Sequence, residues 1–599
     1  MRNRKNNMET KSKYNSSNDD ETTPSNIQIF NPPLPTLYSN YNPTQAQLDH
    51  SIDGGEEAQK LYDSILSNFN IEDPTTHAVP RRQYGKSNLT VPIISLGGFV
   101  ALGSSVMRNR KLKGPCGCGC KGMIFFACNG LIIPLLLFII ALVVGITQAL
   151  SLEGYIPWII TATASLLIPL IWFVVSAWMI GIEHQSHLDR LLDYSYAVGI
   201  DHIETARHYL ESEAQLKPVL QRQTKKNQSW LVQTKVRPYA QKGALYDTSK
   251  ACLKTLGLDK VTFLTVHGVN TESHVQATLE NSADEVLQMK KEGKADLVGL
   301  AVHCHTQDII KLIETNKFDF VNLHFGFFSS YSNMDNQEAV LKASENGLGV
   351  YCISPSNQGG ELHKPSKKLI ELCKPLHPLE FGLLYLLSHK GIGDTGTVSC
   401  GPTNYKELDY QLRAVQLLPY AAKFLPTIVQ RLRDEARKQL GQEYCDGLSK
   451  RVGTFTQGNE AMPGALSLSL LLGCHCLWKS FDNESYLKRM VGNLSWPGDW
   501  CAGGSIDVLR GKDENSEEMI QFRAALEDGD VKDGPLSTDV LLNALREIED
   551  FVPATGKKGC GKKILGKVMA YGKFWVETAS WCSGYVPTRE YGTMPKTKN

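Results

Sequence analysis

The sequence predicts an α/β fold, a closed (β/α)8 (TIM) barrel with further segments attached to it. Between residues 182 and 411, short apolar stretches typical of buried strands alternate with longer stretches typical of helices. This alternation favours a parallel sheet, and a count of eight strands favours closure into a barrel. At 599 residues the chain is longer than one ordinary domain, so one large unit with attachments is expected.

The first predicted strand is Val91–Leu96, which ends at a pair of glycines. Helices are predicted at His187–Val198, Ala277–Glu292, Gln307–Thr315, Gln337–Asn346 and Leu379–Ser388, among other places. The remaining predicted strands are His202–Glu204, Ser229–Lys235, Val261–His267, Leu297–Val302, Phe318–Leu323, Gly349–Ser354 and Thr397–Cys400. The barrel is therefore predicted to occupy residues 81–104 and 183–415.

The two ends of the chain differ from the barrel in composition. Residues 1–80 are rich in small polar residues and proline, which predicts disorder with one short helix at Glu56–Asn68. Residues 416–599 are predicted to form a helical or irregular C-terminal extension, in which Tyr420–Leu440 is helical. Within it, Met462–Leu477 is apolar but short for a membrane span.

Residues 105–182 separate the first strand from the rest of the predicted barrel. Ile124–Leu150 and Tyr155–Ile180 contain no charged residue, and each exceeds the roughly 20 residues that a helix needs to cross a bilayer. The short link between them predicts a transmembrane hairpin. A basic cluster ahead of it predicts an integral membrane protein with a cytoplasmic barrel: Arg108, Arg110, Lys111, Lys113 and Lys121. The alternatives are a buried helical pair in a soluble protein and an error in the gene model.

Charge and cysteine content exclude several classes of protein. The chain has 63 basic and 62 acidic residues and no nucleic-acid-binding signature, so no nucleic acid partner is expected. Cys116, Cys118 and Cys120 are candidates for palmitoylation or part of a plain linker, and their spacing is unlike that of structural zinc sites. The cysteines of the extension lack the spacing of an iron–sulfur site. No metal site is predicted.

Four side chains at successive predicted strand ends match the needs of carbonyl reduction. Hydride is added at carbon and a proton at oxygen, and Tyr209 is a suitable acid if Lys235 lowers its pKa. Glu204 would hold the lysine in place, and His267 would donate to the substrate oxygen. Because the carboxyl ends of barrel strands meet at one mouth, all four are expected in the same pocket.

The motifs around these residues resemble those of the aldo-keto reductases. Residues 81–98 look like the opening segment of the family, and Gly199–Tyr209 is similar to its aspartate-tyrosine motif. Leu231–Lys235 and Leu264–Gly268 resemble its lysine and histidine strands. Val398–Asn404 with Glu407-Leu408 resembles its closing nucleotide-phosphate motif.

The resemblance implies roles for individual positions. Tyr209 would be the proton donor, Lys235 would lower its pKa, Glu204 would pair with the lysine, and His267 would orient the carbonyl. The residues implied to bind NADP, or NAD in its place, are Asn322 at the nicotinamide and Ser354, Gly401, Thr403, Asn404 and Gln411 at the phosphates or adenosine.

The chain departs from the family pattern at several of these positions. Glu204 stands where the family has aspartate, Ile353 where an aromatic residue often stacks, and Ala301 and Val302 where a Ser-Asn pair is common. The leading hypothesis is a membrane-anchored, NADPH-dependent reductase of a small aldehyde or ketone. A lipophilic substrate is one candidate, and simple tethering of the barrel with no effect on substrate choice is the other. A non-catalytic nicotinamide-binding regulatory subunit, or a scaffold, is the alternative.

Overall fold

The computed structural model describes most of the predicted barrel and parts of the regions around it. The described residues are 44–52, 55–97, 188–209, 212–331, 336–357, 361–402, 404–445, 462–466, 468–494, 506–527 and 536–552. The predicted hairpin helices, 124–150 and 155–180, lie outside these residues, as does Thr403.

The segment before the barrel is helical in part and packs on the rest of the molecule. It contains α1 (Gln45–His50) and α2 (Glu56–Ile65), and α1 begins with a capping box at Thr44. The Tyr62 hydroxyl of α2 donates to the buried Glu380 carboxylate at 2.8 Å. The predicted disorder therefore does not extend to residue 80, because aromatic and aliphatic side chains of α2 pack against the core of the protein.

Eight parallel strands close into a barrel in the order β10-β3-β4-β5-β6-β7-β8-β9, which confirms the predicted fold. The predicted first strand is divided in two, because β2 (Thr90–Pro92) pairs with β1 (Arg81–Gln83) in an antiparallel hairpin. The barrel strands are β3 (Ile94–Gly97), β4 (His202–Glu204), β5 (Leu231–Val236), β6 (Val261–Val269), β7 (Ala295–Val302), β8 (Phe320–His324), β9 (Gly349–Ile353) and β10 (Gly396–Cys400).

Helices separate the strands along the chain. Residues 188–197 are helical between β3 and β4. The others in the barrel region are α3 (Ser212–Lys225), α4 (Ala244–Leu256), α5 (Glu272–Ala277), α6 (Ala283–Lys291), α7 (Thr306–Glu314), α8 (Gln337–Glu345), α9 (Lys367–Cys373), α10 (Pro378–Leu387), α11 (Lys390–Gly393) and α12 (Asp409–Leu417). Leu and Val side chains on their inner faces are buried against the strands.

An aromatic cluster fills the amino-terminal end of the barrel. Tyr84, which follows β1, packs edge-on against Phe263 with ring centroids 5.5 Å apart, and Phe263 packs in the same way on Phe320. A side chain at Gly349 would meet the Tyr84 ring at 2.6 Å, so glycine is required there. The four predicted catalytic side chains lie at the other end of the barrel, where the carboxyl ends of the strands meet and barrel enzymes carry their sites.

The C-terminal extension is helical where it is described. It contains α13 (Ala421–Leu440), α14 (Leu468–Phe481), α15 (Glu484–Leu494), α16 (Glu517–Glu527) and α17 (Thr538–Phe551). The predicted helix at Tyr420–Leu440 is confirmed, and the apolar stretch Met462–Leu477 contributes to α14, whose side chains are mostly buried. None of the helices described here combines the length and the hydropathy needed to cross a membrane.

Candidate active site

A buried ion pair joins β4 to β5 at the carboxyl end of the barrel. Lys235 Nζ lies 2.5 Å from Glu204 Oε2, and both side chains are almost fully buried. Lys235 also donates to the Thr205 carbonyl at 3.0 Å and lies 3.2 Å from the Tyr209 hydroxyl. Glu204, one methylene longer than the aspartate of the family, therefore still reaches the lysine.

Tyr209 lies between the ion pair and the end of β6. It is in the turn after β4 and is partly buried. The Lys235 ammonium is 4.4 Å from the centre of its ring, and the His267 ring meets it edge-on at 5.3 Å. The structure therefore brings together all four of the predicted catalytic residues.

Burial dominates the protonation of these groups. It raises the pKa of Tyr209 well above its ordinary value, and the negative charge of Glu204 raises that pKa further. Burial lowers the pKa of Lys235, while Glu204 opposes that shift. The expected lowering of the tyrosine pKa by Lys235 is not found, because burial and, after it, the charge of Glu204 both raise that pKa. At neutral pH, Tyr209 therefore keeps the proton that a general acid must supply.

His267 is held in its neutral form. Burial lowers its pKa well below the ordinary value, and the positive charge of Lys235 lowers it further. A neutral imidazole carries one N–H donor and can orient a carbonyl oxygen without becoming charged.

The residues predicted to bind a nucleotide cofactor lie in two groups. Asn322 is on β8 and fully buried, and neither its Oδ1 nor its Nδ2 has a hydrogen-bond partner among the described residues. A buried amide without partners is costly, which fits a polar ligand at this position. Its neighbour across the β7–β8 ladder is Ala301, which can supply no side-chain hydrogen bond.

The second group surrounds the ends of β9 and β10. Ser354 adopts a left-handed backbone conformation (φ +56°), which is uncommon outside glycine and concentrates at binding sites. Gly401 directly follows β10, and Asn404 accepts a hydrogen bond from the Glu407 N–H, so it caps the next turn. Gln411 is buried, and its amide nitrogen faces the carbonyls of Glu407 and Leu408 within that turn.

Comparison with known proteins relates part of the barrel to one family. Residues 177–378, about a third of the chain, match the model of the aldo/keto reductase family. This segment is therefore similar to an aldo/keto reductase domain. It contains Glu204, Tyr209, Lys235 and His267, whereas the turn after β10 lies beyond it.

The chain also resembles solved structures of aldo-keto reductases at low sequence identity. The holo form of an enzyme from Bacillus halodurans is 14% identical, with a TM-score of 0.40 over 59% of this chain and 96% of that one. An aldo-keto reductase from Klebsiella pneumoniae in complex with NADPH is 16% identical, with a TM-score of 0.32 over 41% of this chain and 86% of that one. No curated protein matches the chain.

The structure adds two features at the carboxyl end of the barrel that the sequence analysis missed. Asn357 lines a cleft beside Ser354, and its Nδ2 is buried without a partner among the described residues. At the ends of β7 and β8, His303 and His324 form a hydrogen-bonded pair. The two histidines are 21 residues apart in the sequence, and only the pairing of β7 with β8 brings them together.

Proposed function

We propose that this chain is a membrane-anchored carbonyl reductase that uses NADPH, with NADH as the alternative, to reduce an aldehyde or ketone. The observation that carries the proposal is the chain of contacts from Glu204 through Lys235 to the Tyr209 hydroxyl, with His267 edge-on to the tyrosine. These groups can hold a carbonyl oxygen and give it a proton, which are the protein's tasks in such a reaction.

The residues of the chain divide these tasks between them. A reduced nicotinamide, when bound, supplies the hydride. His267 donates a hydrogen bond to the carbonyl oxygen, and Tyr209 transfers its proton to that oxygen as negative charge develops there. Lys235 stabilises the tyrosinate that remains. Glu204 keeps the ammonium charged and fixed in a site where burial alone would favour its neutral form.

The buried amide of Asn322 would hold the nicotinamide, and the residues after β9 and β10 would contact the phosphates. This assignment rests on the unpartnered Asn322 amide and on the backbone conformation of Ser354. Purified full-length protein in detergent should bind NADPH, measured by nucleotide fluorescence, and oxidise it when given aldehydes. Binding without turnover of any aldehyde or ketone would instead support a nicotinamide-binding regulatory subunit.

Residues 124–150 and 155–180 anchor the protein in a membrane with the barrel on the cytoplasmic side. We expect that deletion of Leu112–Ile180, bridged by Gly and Ser, releases a folded barrel into the soluble fraction, because loop insertions outside a packed core are dispensable. The measurement is sedimentation with membranes, with NADPH binding as the check of folding. A deletion product that still sediments with membranes contradicts the hairpin as the anchor.

A matched control tests whether the apolar segments or attached lipid chains hold the protein in the membrane. The deletion also removes Cys116, Cys118 and Cys120, which are candidates for palmitoylation. Replacing these three cysteines by serine in the full-length chain should leave it in the membrane fraction. Release of that variant would assign the attachment to lipid chains rather than to the apolar segments.

The position of the insertion favours a lipophilic carbonyl substrate. The insertion follows β3, and segments that follow barrel strands lie on the face of the active site. With full-length enzyme in liposomes, we expect the hairpin deletion to lower kcat/KM for long-chain aldehydes far more than for short ones. Equal losses for long and short aldehydes would leave the hairpin as an anchor that plays no part in substrate choice.

A further inference from the structure

Two histidines extend the row of protonatable groups at the mouth of the barrel. Glu204, Lys235 and His267 lie on β4, β5 and β6, and His303 directly follows the next strand, β7. His324 ends β8, the strand after that. Five consecutive strands of the barrel thus each carry such a side chain at the same end.

The two imidazoles are hydrogen-bonded to each other, and neighbouring residues hold the backbone of each histidine. His303 Nδ1 and His324 Nε2 are 2.9 Å apart, with ring centroids 4.7 Å apart. The His303 backbone N–H donates to the Val269 carbonyl at 3.0 Å. The His324 carbonyl accepts from Asn336 Nδ2 at 2.8 Å, and Asn336 accepts from the Thr306 hydroxyl at 3.1 Å. The relative position of the rings is therefore fixed by neighbouring backbone and side chains.

Both rings are neutral at physiological pH. Burial, followed by the charge of Lys235, lowers the pKa of His303 to about 4. Burial, followed by His303, lowers the pKa of His324 well below the ordinary value. The pair lies beside the candidate active site, because His267 of β6 pairs with Ala301 of β7, two residues before His303, and His303 contributes to the lowered pKa of His267 after burial and Lys235. The described residues contain no group of three or more side chains that could hold a metal ion.

A hydrogen-bonded pair of neutral imidazoles can transmit a proton from one side of the pair to the other. One ring donates its N–H to the other, so the two outward nitrogens always comprise one donor and one acceptor. A proton can bind to the outward acceptor nitrogen of the first ring. The proton shared between the rings then moves to the second ring, and the outward N–H of the second ring releases its proton. The pair can therefore transmit a proton without either ring carrying a full positive charge, which is the form that burial disfavours.

We propose that the His303–His324 pair is the relay that returns a proton to Tyr209 after each reduction. The inference rests on the proposed function. Tyr209 gives its proton to the substrate oxygen and becomes tyrosinate. A solvent proton then enters at His324 Nδ1, the shared proton passes from His324 Nε2 to His303 Nδ1, and His303 Nε2 releases its proton. That proton reaches the tyrosinate oxygen through a bridging water, which restores the neutral acid. Between turnovers, with the pocket open, His324 Nδ1 loses its proton to solvent and His303 Nε2 takes one from solvent, while the shared proton moves back to His324 Nε2, so the pair regains its starting tautomer.

The atoms that form the hydrogen bond define two conservative variants. An asparagine amide takes the place of Nδ1 and a glutamine amide takes the place of Nε2. His303→Asn and His324→Gln can therefore keep the contact between the two residues but cannot pass a proton. We expect each variant to lower kcat about tenfold, with a larger solvent deuterium isotope effect and unchanged NADPH binding by fluorescence. Added imidazole should restore part of the rate of His303→Asn.

His305→Asn is the matched control. His305 caps α7 through its Nδ1, which accepts from the Gln307 N–H at 3.2 Å, and asparagine is an equally good capping residue. This variant should keep the wild-type kcat and isotope effect. Unchanged kcat and isotope effects in both relay variants overturn the proposal, and so does an increase in KM alone, which would indicate substrate binding. If the wild-type protein reduces no carbonyl, the proposed function itself fails, which is a distinct outcome.

Discussion

Replacing Tyr209 by phenylalanine should lower the rate of carbonyl reduction by about 10²- to 10⁴-fold while leaving NADPH binding nearly unchanged. The hydroxyl is the only group removed, and it is the proposed proton donor. Lys235 keeps its contacts with Glu204 and Thr205, and the phenyl ring keeps its contact with His267. The loss should therefore appear in kcat, measured with saturating NADPH, and not in the nucleotide affinity or the melting temperature.

The same substitution elsewhere in the chain provides the control. The Tyr194 hydroxyl lies 2.8 Å from His77 Nε2, outside the barrel, so Tyr194→Phe removes a hydroxyl that takes no part in the reaction. That variant should lose about 1 kcal/mol of stability at most and keep its activity. A Tyr209→Phe enzyme with most of the wild-type rate would show that another group supplies the proton.

Much of the barrel follows from local patterns in the sequence. Buried strands such as Val261–Val269 are short, rich in β-branched and apolar residues, and alternate with helical stretches, so their number and order are predictable. The division of the first strand was not predictable, because β2 and β3 adjoin along the chain and only pairing with β1 separates them. The short helix predicted at Glu56–Asn68 is present as α2, but its contact with the distant Glu380 was not predictable from the local sequence.

The candidate active site was also predictable from the sequence only in part. Tyr209, Lys235 and His267 were predictable because each follows or ends a recognisable strand, and strand ends converge in a barrel. The direction of the Tyr209 pKa shift was not predictable, because its largest cause is burial, which depends on how the folded barrel covers the hydroxyl, and its second cause is the nearby charge of Glu204. The His303–His324 contact likewise needs the register of β7 and β8.

Replacing Glu204 by glutamine should be the most damaging change to the fold of the site. It leaves the Lys235 ammonium buried without its counter-charge, and breaking a buried pair in this way costs about 3–5 kcal/mol. Loss of Glu204 also lowers the pKa of Lys235 in the folded state further below its unfolded value. The folded state then binds fewer protons, so the stability deficit should narrow as pH rises towards the ordinary lysine pKa. Chemical denaturation at several pH values measures this trend.

Activity provides an independent measurement of the same substitution. Glu204 is one of the two causes that raise the pKa of Tyr209, so its removal should lower that pKa. Reduction requires protonated Tyr209, and the alkaline decline in kcat should therefore move to lower pH in Glu204→Gln.

Two control variants test whether the charge at position 204 is responsible. Glu204→Asp retains the charge and should keep or improve the rate, since aspartate is the residue of the family motif. Asp201→Asn breaks a partly exposed pair with Arg81 just ahead of β4 and should cost less stability, because solvent screens its partner. Equal rates and equal pH profiles for Glu204→Asp and Glu204→Gln would contradict an electrostatic role for Glu204. Its side chain would then only fill space next to Lys235.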